Sequence, residues 1–519
     1  MSVTAAGPAS GHDEDESVVI RAATAGQAAP GDPGPTPTGP CGPGSKPETG
    51  LQGRVPPEDH ASGRAAQGYT CNTETIGRAG VKGGFRVERY VDESGRECAY
   101  YDTTILFPTN ALFPSGTPTG TDVLDMTDPT KPALTATLLT PAMQSPHESV
   151  SINQKRGLLA AVLGTVASAP GMLDIYDVSQ DCRNPTLLSS LPVGILGHEG
   201  NFAPDGLTYY ASALDGGELT AIDVSNPLAP VPLWTERYVA HGMSISDDGT
   251  RAYLATRSGL VILDTTQIQE RVVNPTVPVV SRLDWYPMTT PQVGIPVTIG
   301  GKPYVVEVDE FGKDSDDDGL EDLVGAARII DIGDEAKPRV ISDLRLDVHT
   351  RANRAAISGD ENFADYRGFQ GYAGHYCSVP QRKEPGVVAC TFIESGLRLF
   401  DIRDPYNPKE IAYHNEPRET TYPNDDVPTT YAMSTIAFVP ERSELWYADG
   451  NSGFIAVRVT NGVWPFASSA PTPPAAVAPR GDELPPTGGS PAAMAGAALL
   501  VAAVLYRRTT AARTVQRVF

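Results

Sequence analysis

The sequence contains none of the short signatures of the common enzyme classes. It has no GxSxG, HExxH, phosphate-binding P-loop or dinucleotide-binding glycine motif. It also has no CxxC pair, which argues against a zinc ribbon or a thioredoxin-type site. No basic stripe with interleaved aromatic residues is present, and the formal net charge is −23. A chain of this charge repels polyanions, so no nucleic-acid partner is expected.

Enzyme motifs are scarce in this sequence, but glycine and proline are abundant. The chain has 51 glycines and 47 prolines, almost one fifth of its 519 residues. This composition favours many short strands and turns over long helices. Apolar residues make up 40%, enough to bury a substantial core. An acidic surface suits solubility outside the cell or cation binding.

Six scattered cysteines predict disulfide bonds in an oxidising compartment. Cys377 and Cys390 should lie on neighbouring strands joined by a turn near 383–386, so they are the first predicted pair. Cys71 with Cys98 is the next choice, which leaves Cys41 with Cys182. The alternative is six buried free thiols.

The N-terminal segment, residues 1–40, is rich in Ala, Pro and Gly and is predicted to be disordered. It lacks the apolar core of a signal peptide, although the cysteines favour export. We therefore expect the true start to lie upstream, or export to use another route.

The C-terminal segment carries a different pattern. Residues 465–483 form a Pro/Ala linker, and 484–519 contain a pentapeptide, an apolar stretch at 492–506 and two arginines. This order resembles the LPXTG sorting signal of sortase substrates, with Leu484, Pro485, Thr487 and Gly488 at the fixed positions. The resemblance implies that a sortase cleaves between Thr487 and Gly488 and joins the threonine to the cell wall. The alternatives are a simple C-terminal membrane anchor or an alanine-rich helix.

One short phrase recurs through the middle of the chain: two or three apolar residues, an aspartate, another apolar residue and a turn. Its aspartates are Asp125, Asp177, Asp223, Asp264, Asp331 and Asp401. The first four are separated by 52, 46 and 41 residues. Because they recur once per unit, we interpret them as structural hydrogen-bond acceptors in turns.

A second phrase precedes most of the aspartates and contains an Asp-Gly turn between two strands. The combined period is that of a four-stranded propeller blade. The sequence therefore predicts an all-β propeller of about seven blades over residues 41–464, closed by N-terminal strands from 85–110. An open β-solenoid and a two-sheet sandwich array are the alternatives.

The phrase Gly259-Leu-Val-Ile-Leu-Asp264 resembles the LVIVD-repeat family of bacterial surface propellers. The resemblance covers about residues 100–460 and implies a β-propeller. It implies no defined activity.

The acidic run at 314–322 has the spacing of a calcium-binding loop. Its candidate ligands are Asp314, Asp316, Asp318, the carbonyl of Leu320, and Asp322. Gly325 stands where an EF-hand has its bidentate glutamate, and Glu310 or Glu321 would compensate. The alternative is a solvated acidic loop.

Four of the eight histidines begin the first strand of a predicted blade: His147, His198, His241 and His375. First strands line the axis of a propeller, so these imidazoles should face one another and are a possible site for Fe, Cu or Zn. Blades with Gln292 and Ser434 interrupt the ring. The alternative is structural histidines bonded to nearby backbone.

Two functions follow. The first is a calcium-supported module on the cell surface that binds an unknown protein or glycan. The second is a metal-dependent propeller enzyme that uses the axial histidines. Both place the chain outside the cell, with sortase and the cell wall as partners.

Overall fold

Repeated sheets of four antiparallel strands form seven blades, so the predicted all-β propeller is confirmed. The structure is a computed structural model. It describes residues 33–104, 119–164, 171–194, 197–213, 217–257, 259–285, 289–313, 323–360, 371–417 and 430–466. The predicted linker and sorting signal, at 465–519, lie outside these residues except for 465 and 466.

Two short strands come before the first blade: β1 (Tyr69–Cys71) and β2 (Thr73–Ala79). The first three blades are then formed in chain order, from the axis outward. Blade 1 contains β3 to β6 (Val87–Val91, Glu97–Asp102, Thr121–Asp125, Ala133–Leu138). Blade 2 contains β7 to β10 (Ser151–Asn153, Leu158–Val162, Gly171–Asp177, Thr186–Gly194). Blade 3 contains β11 to β14 (Glu199–Phe202, Thr208–Ala213, Glu218–Asp223, Val231–Arg237).

The remaining four blades follow the same plan. Blade 4 contains β15 to β18 (Ala240–Ile245, Arg251–Thr256, Gly259–Asp264, Val279–Leu283). Blade 5 contains β19, β20, β23 and β24 (Thr290–Ile299, Lys302–Glu310, Ala327–Asp331, Arg339–Leu344), with the small hairpin β21–β22 (Gly312–Lys313, Leu323–Val324) between its second and third strands. Blade 6 contains β25 to β28 (Gly374–Ser378, Val387–Phe392, Gly396–Asp401, Lys409–Asn415), and blade 7 contains β29 to β31 (Ala437–Val439, Glu444–Asp449, Gly453–Val459).

Helices are few and short in the part of the chain that the structure describes. They are α1 (Pro57–Ser62), α2 (Pro141–Gln144), α3 (Thr266–Gln269) and α4 (Arg351–Ile357), with 3-10 turns at Ala65–Gln67, Asp347–His349 and Pro440–Arg442. Within the described residues, no helix is long and apolar enough to cross a membrane.

The ring is closed by β2, which pairs with β31 and supplies the fourth strand of blade 7. The strands predicted to close it, from 85–110, are instead the two inner strands of blade 1. The physical reason is that Asp125 ends a third strand, so blade 1 needs two strands before it. The closing strand must therefore come from further upstream.

The segment before the ring packs against blade 6. Strand β1 pairs with β28, and Thr38 forms a parallel bridge with Glu410. Thr36 donates its backbone N–H to the carbonyl of Arg345. Residues 33–40, which the sequence places in a disordered segment, thus lie along the outer part of the propeller.

The core lies between the faces of neighbouring blades. Leu173 and Ile175 of blade 2, for example, pack against Tyr209 and Ile222 of blade 3. Burial of apolar area on both faces of each sheet holds the blades together.

The recurring aspartates are turn acceptors, as predicted. In all six phrases a carboxylate oxygen accepts the backbone N–H two residues later, at 2.8–3.0 Å; the acceptors are Asp125, Asp177, Asp223, Asp264, Asp331 and Asp401. Each bond closes the turn that follows the third strand of a blade. This bonding explains the repeat without any catalytic role.

Three disulfides are present, and the first predicted pair is confirmed. Cys377 and Cys390 face each other across β25 and β26. The pairing of Cys71 with Cys98 is wrong: Cys71 bonds Cys41, and Cys98 bonds Cys182. Cys71 lies on β1 at the edge of blade 6, whereas Cys98 lies on β4 of blade 1. The sequence does not reveal this separation, because β1 precedes all the blades in the chain but pairs with β28 of blade 6.

His349 is a buried structural histidine in the connection between blades 5 and 6. Its Nδ1 accepts the N–H of Leu346 at 2.9 Å, and its Nε2 donates to the carbonyl of Tyr372 at 2.7 Å. Burial, followed by the charge of Arg345, holds its pKa well below the usual range. The ring is therefore neutral in the folded protein at neutral pH.

We predict that the 98–182 disulfide stabilises the fold more than the 377–390 disulfide. The two bonds close chain separations of 84 and 13 residues, and the entropic gain grows with the separation. Replacing Cys98 and Cys182 by serine should lower the free energy of unfolding by about 2–4 kcal/mol. Replacing Cys377 and Cys390 by serine should lower the free energy of unfolding by about 1–2 kcal/mol less than this. Denaturant unfolding measures both; equal losses would contradict the entropic explanation.

We also predict a pH dependence that originates at His349. In the unfolded chain this histidine gains a proton near pH 6.5, whereas in the folded chain it stays neutral to a lower pH. The free energy of unfolding is therefore unaffected by His349 above pH 6.5 and falls as the pH drops below that value. His349→Gln should reduce this acid slope by at most about 1.4 kcal/mol per pH unit. The measurement is the free energy of unfolding between pH 8 and pH 5. His60→Gln, in α1, is the control, and parallel profiles for His349→Gln and the parent would contradict the prediction.

Candidate metal centre on the propeller axis

The four selected histidines converge on the propeller axis, at the end where the inner strands begin. His241 and His375 belong to β15 and β25, His198 lies one residue before β11, and His147 lies shortly before β7. The ring centroids of His147 and His198 are 4.3 Å apart, and those of His198 and His241 are 4.7 Å apart. Residues that are far apart in the chain therefore occupy one small region.

The other three blades place different residues at the axis. Phe85 stands before the inner strand of blade 1, and its ring centroid is 4.6 Å from that of His147 and 5.3 Å from that of His375. Gln292 and Ser434, in blades 5 and 7, are fully buried. The histidines thus form an incomplete ring, as the sequence indicates.

Glu148 occupies the centre of this histidine group. One of its carboxylate oxygens, Oε2, lies 3.2 Å from Nε2 of His198 and 3.6 Å from Nε2 of His241. The other, Oε1, lies 3.2 Å from Nε2 of His375. Strict alternation along a strand would point Glu148 away from His147. Both side chains reach the axis because they come before β7, and His147 has a φ of +50°.

Glu310 is a second axial carboxylate that the histidine pattern does not reveal. Its carboxylate lies 2.9 Å from Nε2 of His375 and 4.0 Å from Nε2 of His241. The residue ends β20, the second strand of blade 5, which reaches the same face of the propeller as the start of an inner strand. The sequence suggests Glu310 as an extra calcium ligand, but its carboxylate contacts the histidines instead.

Two histidines are oriented by the backbone of the next blade. Nδ1 of His241 is 3.2 Å from the carbonyl oxygen of Pro291, and Nδ1 of His375 is 2.6 Å from that of Met433. A carbonyl only accepts, so Nδ1 carries the proton in both rings. The lone pair of a neutral ring is then on Nε2, which faces the carboxylates.

Four carboxylate–imidazole separations, at 2.9–3.6 Å, are close to the edges of a coordination shell. An ion bonded to nitrogen and oxygen at about 2.0–2.2 Å keeps adjacent ligand atoms roughly 3–3.5 Å apart. Two groups of three residues offer ligand atoms that all lie within 4.8 Å of one another: His147, Glu148 and His198; and Glu148, Glu310 and His375. Glu148 belongs to both groups.

One side of the centre is more open than the other. His147 and His198 keep 15% and 20% of their side chains exposed, whereas His241 and His375 keep 3% and 1%. The facing nitrogens, Nδ1 of His147 and Nε2 of His198, are nevertheless buried.

Proton positions in the cluster depend on the two carboxylates. Burial alone would lower the pKa of His375, but Glu310 and Glu148 outweigh it and raise the pKa to about 10. Burial lowers the pKa of His241 to about 3, although Glu148 opposes the shift. Burial would raise the pKa of Glu148, yet His198 and His147 hold it well below its usual range. His375 thus carries a proton at neutral pH that a bound cation would displace.

A second layer of side chains lies behind the cluster along the axis. Arg86 donates from Nε to the carbonyl of Glu148 at 2.7 Å, and its Nη2 is 3.2 Å from the carboxylate of Glu199. The hydroxyl of Tyr376 is 3.4 Å from the same carboxylate. Gly242 is required beside Glu199, because a Cβ there would lie 1.8 Å from its carboxylate oxygen and 2.5 Å from the backbone carbonyl oxygen of Gln292. The second layer fixes the backbone that carries Glu148.

Two predicted sites fall outside the described residues. The calcium candidates at 314–322 connect β21 to β22, and the sorting residues lie at 484–488. Both stay predictions.

Comparisons with known proteins give only distant structural likenesses. No family model matches the chain, and no curated protein matches it. Hydrazine synthase from Kuenenia stuttgartiensis is similar over 74% of this chain and 97% of its own, with 13% identity and a TM-score of 0.47. A putative 6-phosphogluconolactonase from Bacteroides fragilis is similar over 65% of this chain and 85% of its own, with 9% identity and a TM-score of 0.44. The periplasmic gluconolactonase of Pseudomonas aeruginosa is similar over 64% of this chain and 85% of its own, with 13% identity and a TM-score of 0.42. Likenesses this distant carry no argument about this chain.

Proposed function

We propose that this propeller is a metal-dependent enzyme that holds one transition-metal ion on its axis. The observation that carries the proposal is the position of Glu148, whose carboxylate lies 3.2–3.6 Å from Nε2 of three histidines on three blades. We therefore favour the metal-dependent enzyme over the surface binding module, the other function that the sequence suggests.

The donor set selects the class of metal. Imidazole nitrogens and carboxylate oxygens suit Zn²⁺, Fe²⁺, Mn²⁺ or Cu²⁺, and the described cluster contains no thiolate that would favour Cu⁺. Glu148 would hold the ion with either Glu310 and His375 or His147 and His198, the two groups whose ligand atoms all lie within 4.8 Å of one another. His241, whose Nε2 lies 3.6 Å from Oε2 of Glu148, would complete or tune the shell.

The cluster has unsatisfied polar atoms that a cation would satisfy. Among the described residues, Nδ1 of His147, Nε2 of His198 and Oε2 of Glu148 have no hydrogen bond of good geometry. Buried polar atoms without a partner are rare and costly. If the histidines were only structural, the backbone hydrogen bonds of His241 and His375 would suffice. The unsatisfied atoms of His147, His198 and Glu148 would then have no explanation.

The open side of the centre supports catalysis rather than a purely structural ion. Catalytic sites keep a position for water or substrate, whereas structural sites are closed by protein ligands. The partly exposed side chains of His147 and His198 mark the side from which water or substrate would reach such a position. The bound ion would act as a Lewis acid or redox centre, with zinc indicating hydrolysis, and iron or copper indicating oxidation.

Metal analysis tests the proposal directly. We predict about one equivalent of Zn, Fe, Mn or Cu per purified chain, and a rise in melting temperature when that metal is restored after chelation. Glu148→Gln keeps the shape of the side chain but removes its charge, and it should weaken metal affinity by about 10–100-fold or more.

Two comparisons make the test specific. His60→Gln removes a histidine in α1, away from the axis, and should leave the metal content unchanged. The opposing explanation is a metal-free network in which the proton on His375 links Glu148 and Glu310. Two results would favour that network: purified protein that lacks stoichiometric metal, and a melting temperature that is the same in metal and in chelator. The surface module that binds a protein or glycan would then be the remaining function.

We also propose that the enzyme is displayed on the cell surface through the sorting signal at 484–519. The three disulfides are compatible with export. In a Gram-positive host, Thr487→Ala should move the protein from the cell wall to the membrane or the medium. Pro486→Ala changes only the variable position of the pentapeptide and should leave wall attachment intact. The fractionation of the two variants checks this, and wall attachment of Thr487→Ala would contradict it.

A further inference from the structure

We propose that the opposite end of the central channel is a second ligand site, which binds a small organic carboxylate. This site goes beyond the axial metal and does not depend on it.

The site is a cavity of about 440 Å³ between the inner strands. Its buried floor contains Arg86, Glu199 and Tyr376, and its rim contains Gln154, Gln381 and Arg382. Gln154 and Gln381 are exposed, so the cavity opens to solvent at the rim. This volume lies within the usual range for small-molecule sites.

The cavity and the metal cluster are at opposite ends of one channel. Gln154 follows the end of β7, and Gln381 follows the end of β25, whereas the histidines stand where such strands begin. Arg86 separates the two regions, because it contacts the backbone of Glu148 on one side and lines the cavity on the other. A ligand in the cavity therefore meets arginine, not the imidazoles.

The charge of the lining is opposite to that of the whole chain. The chain has 63 acidic and 40 basic residues, but the cavity is lined by three arginines (Arg86, Arg89, Arg382) and two glutamates (Glu88, Glu199). Burial also raises the pKa of Glu88 to about 7, against the effect of Arg86, so this carboxyl is only partly charged at neutral pH. An anion is thus less disfavoured here than elsewhere on the protein.

Arg382 is the residue best placed to bind the anion. Its Nη1 donates to the carbonyl of Ile245 and lies 3.1 Å from the carboxylate of Asp247. Within the described part of the chain, its Nε and Nη2 make no hydrogen bond. Arg89, in contrast, is occupied by Glu97 and Glu441, and Arg86 by Glu199. A planar guanidinium with two unused donor nitrogens suits a carboxylate.

The rest of the lining indicates the body of the ligand. The hydroxyl of Ser244 offers a hydrogen bond, and Val293 and Ile295 form part of an apolar wall with Ile436. The amide nitrogens of Gln154 and Gln381 already donate to the carbonyls of Arg89 and Glu384, so each has one further N–H for a ligand. A short carbon chain with a carboxylate at one end fits this combination better than inorganic phosphate.

Calorimetric titration of the full chain tests the inference with succinate and citrate as probes. Succinamide has the carbon skeleton of succinate without its charge. We expect saturable binding of at least one carboxylate at millimolar concentrations or below, and none of succinamide. Arg382→Met should weaken binding by at least about tenfold. Arg403→Met, which removes an exposed arginine elsewhere, should not, and the melting temperatures of both variants check that they fold.

Titrations before and after metal removal separate this site from the axial centre. Binding that persists in metal-free protein and is lost in Arg382→Met supports the inference. Binding that requires the metal and survives Arg382→Met would place the carboxylate on the axial ion; it would overturn the cavity site while supporting the metal centre. The inference also fails if neither carboxylate binds, or if succinamide binds equally well.

Discussion

The pairing of β2 with β31 is the interaction on which the rest of the structure depends. It joins the N-terminal strand Thr73–Ala79 to the last strand of blade 7, so the ring is closed by hydrogen bonds between the two ends of the fold. The Cys41–Cys71 disulfide and the pairing of β1 with β28 hold the neighbouring segment in place. Without closure there is no common axis, and the histidines of four blades do not meet.

Closure also creates an electrostatic requirement. The axis buries Glu148 and Glu310, and a buried carboxylate is unfavourable unless positive charge or hydrogen bonds surround it. Imidazoles supply that environment, either as a protonated His375 or as ligands to a cation. Arg86 and Glu199 form a second charged layer, and this layer separates the imidazoles from the cavity beyond it. One channel therefore contains two chemically different ends.

Much of the architecture was predictable because the blade is a local repeat. The Asp-Gly turn, the recurring aspartate and the apolar strands lie within about 45 residues of chain, so the blade period can be read directly. The Cys377–Cys390 bond was predictable for the same reason, since it links adjacent strands of one hairpin. The position of the four histidines in the repeat predicted that they converge. Glu148 was missed because His147 has a left-handed conformation, which breaks the alternation of side chains.

The sequence by itself determined the fold class, the blade period, the role of the recurring aspartates and the axial position of the histidines, because each is a property of one repeating unit. Only the tertiary structure decided which strand closes the ring, which cysteines pair across blades, and that Glu148 and Glu310 join the histidines. These features bring together residues from different blades or from opposite ends of the chain. Their distances depend on the curvature and closure of the whole ring, and no local pattern in the sequence contains that information.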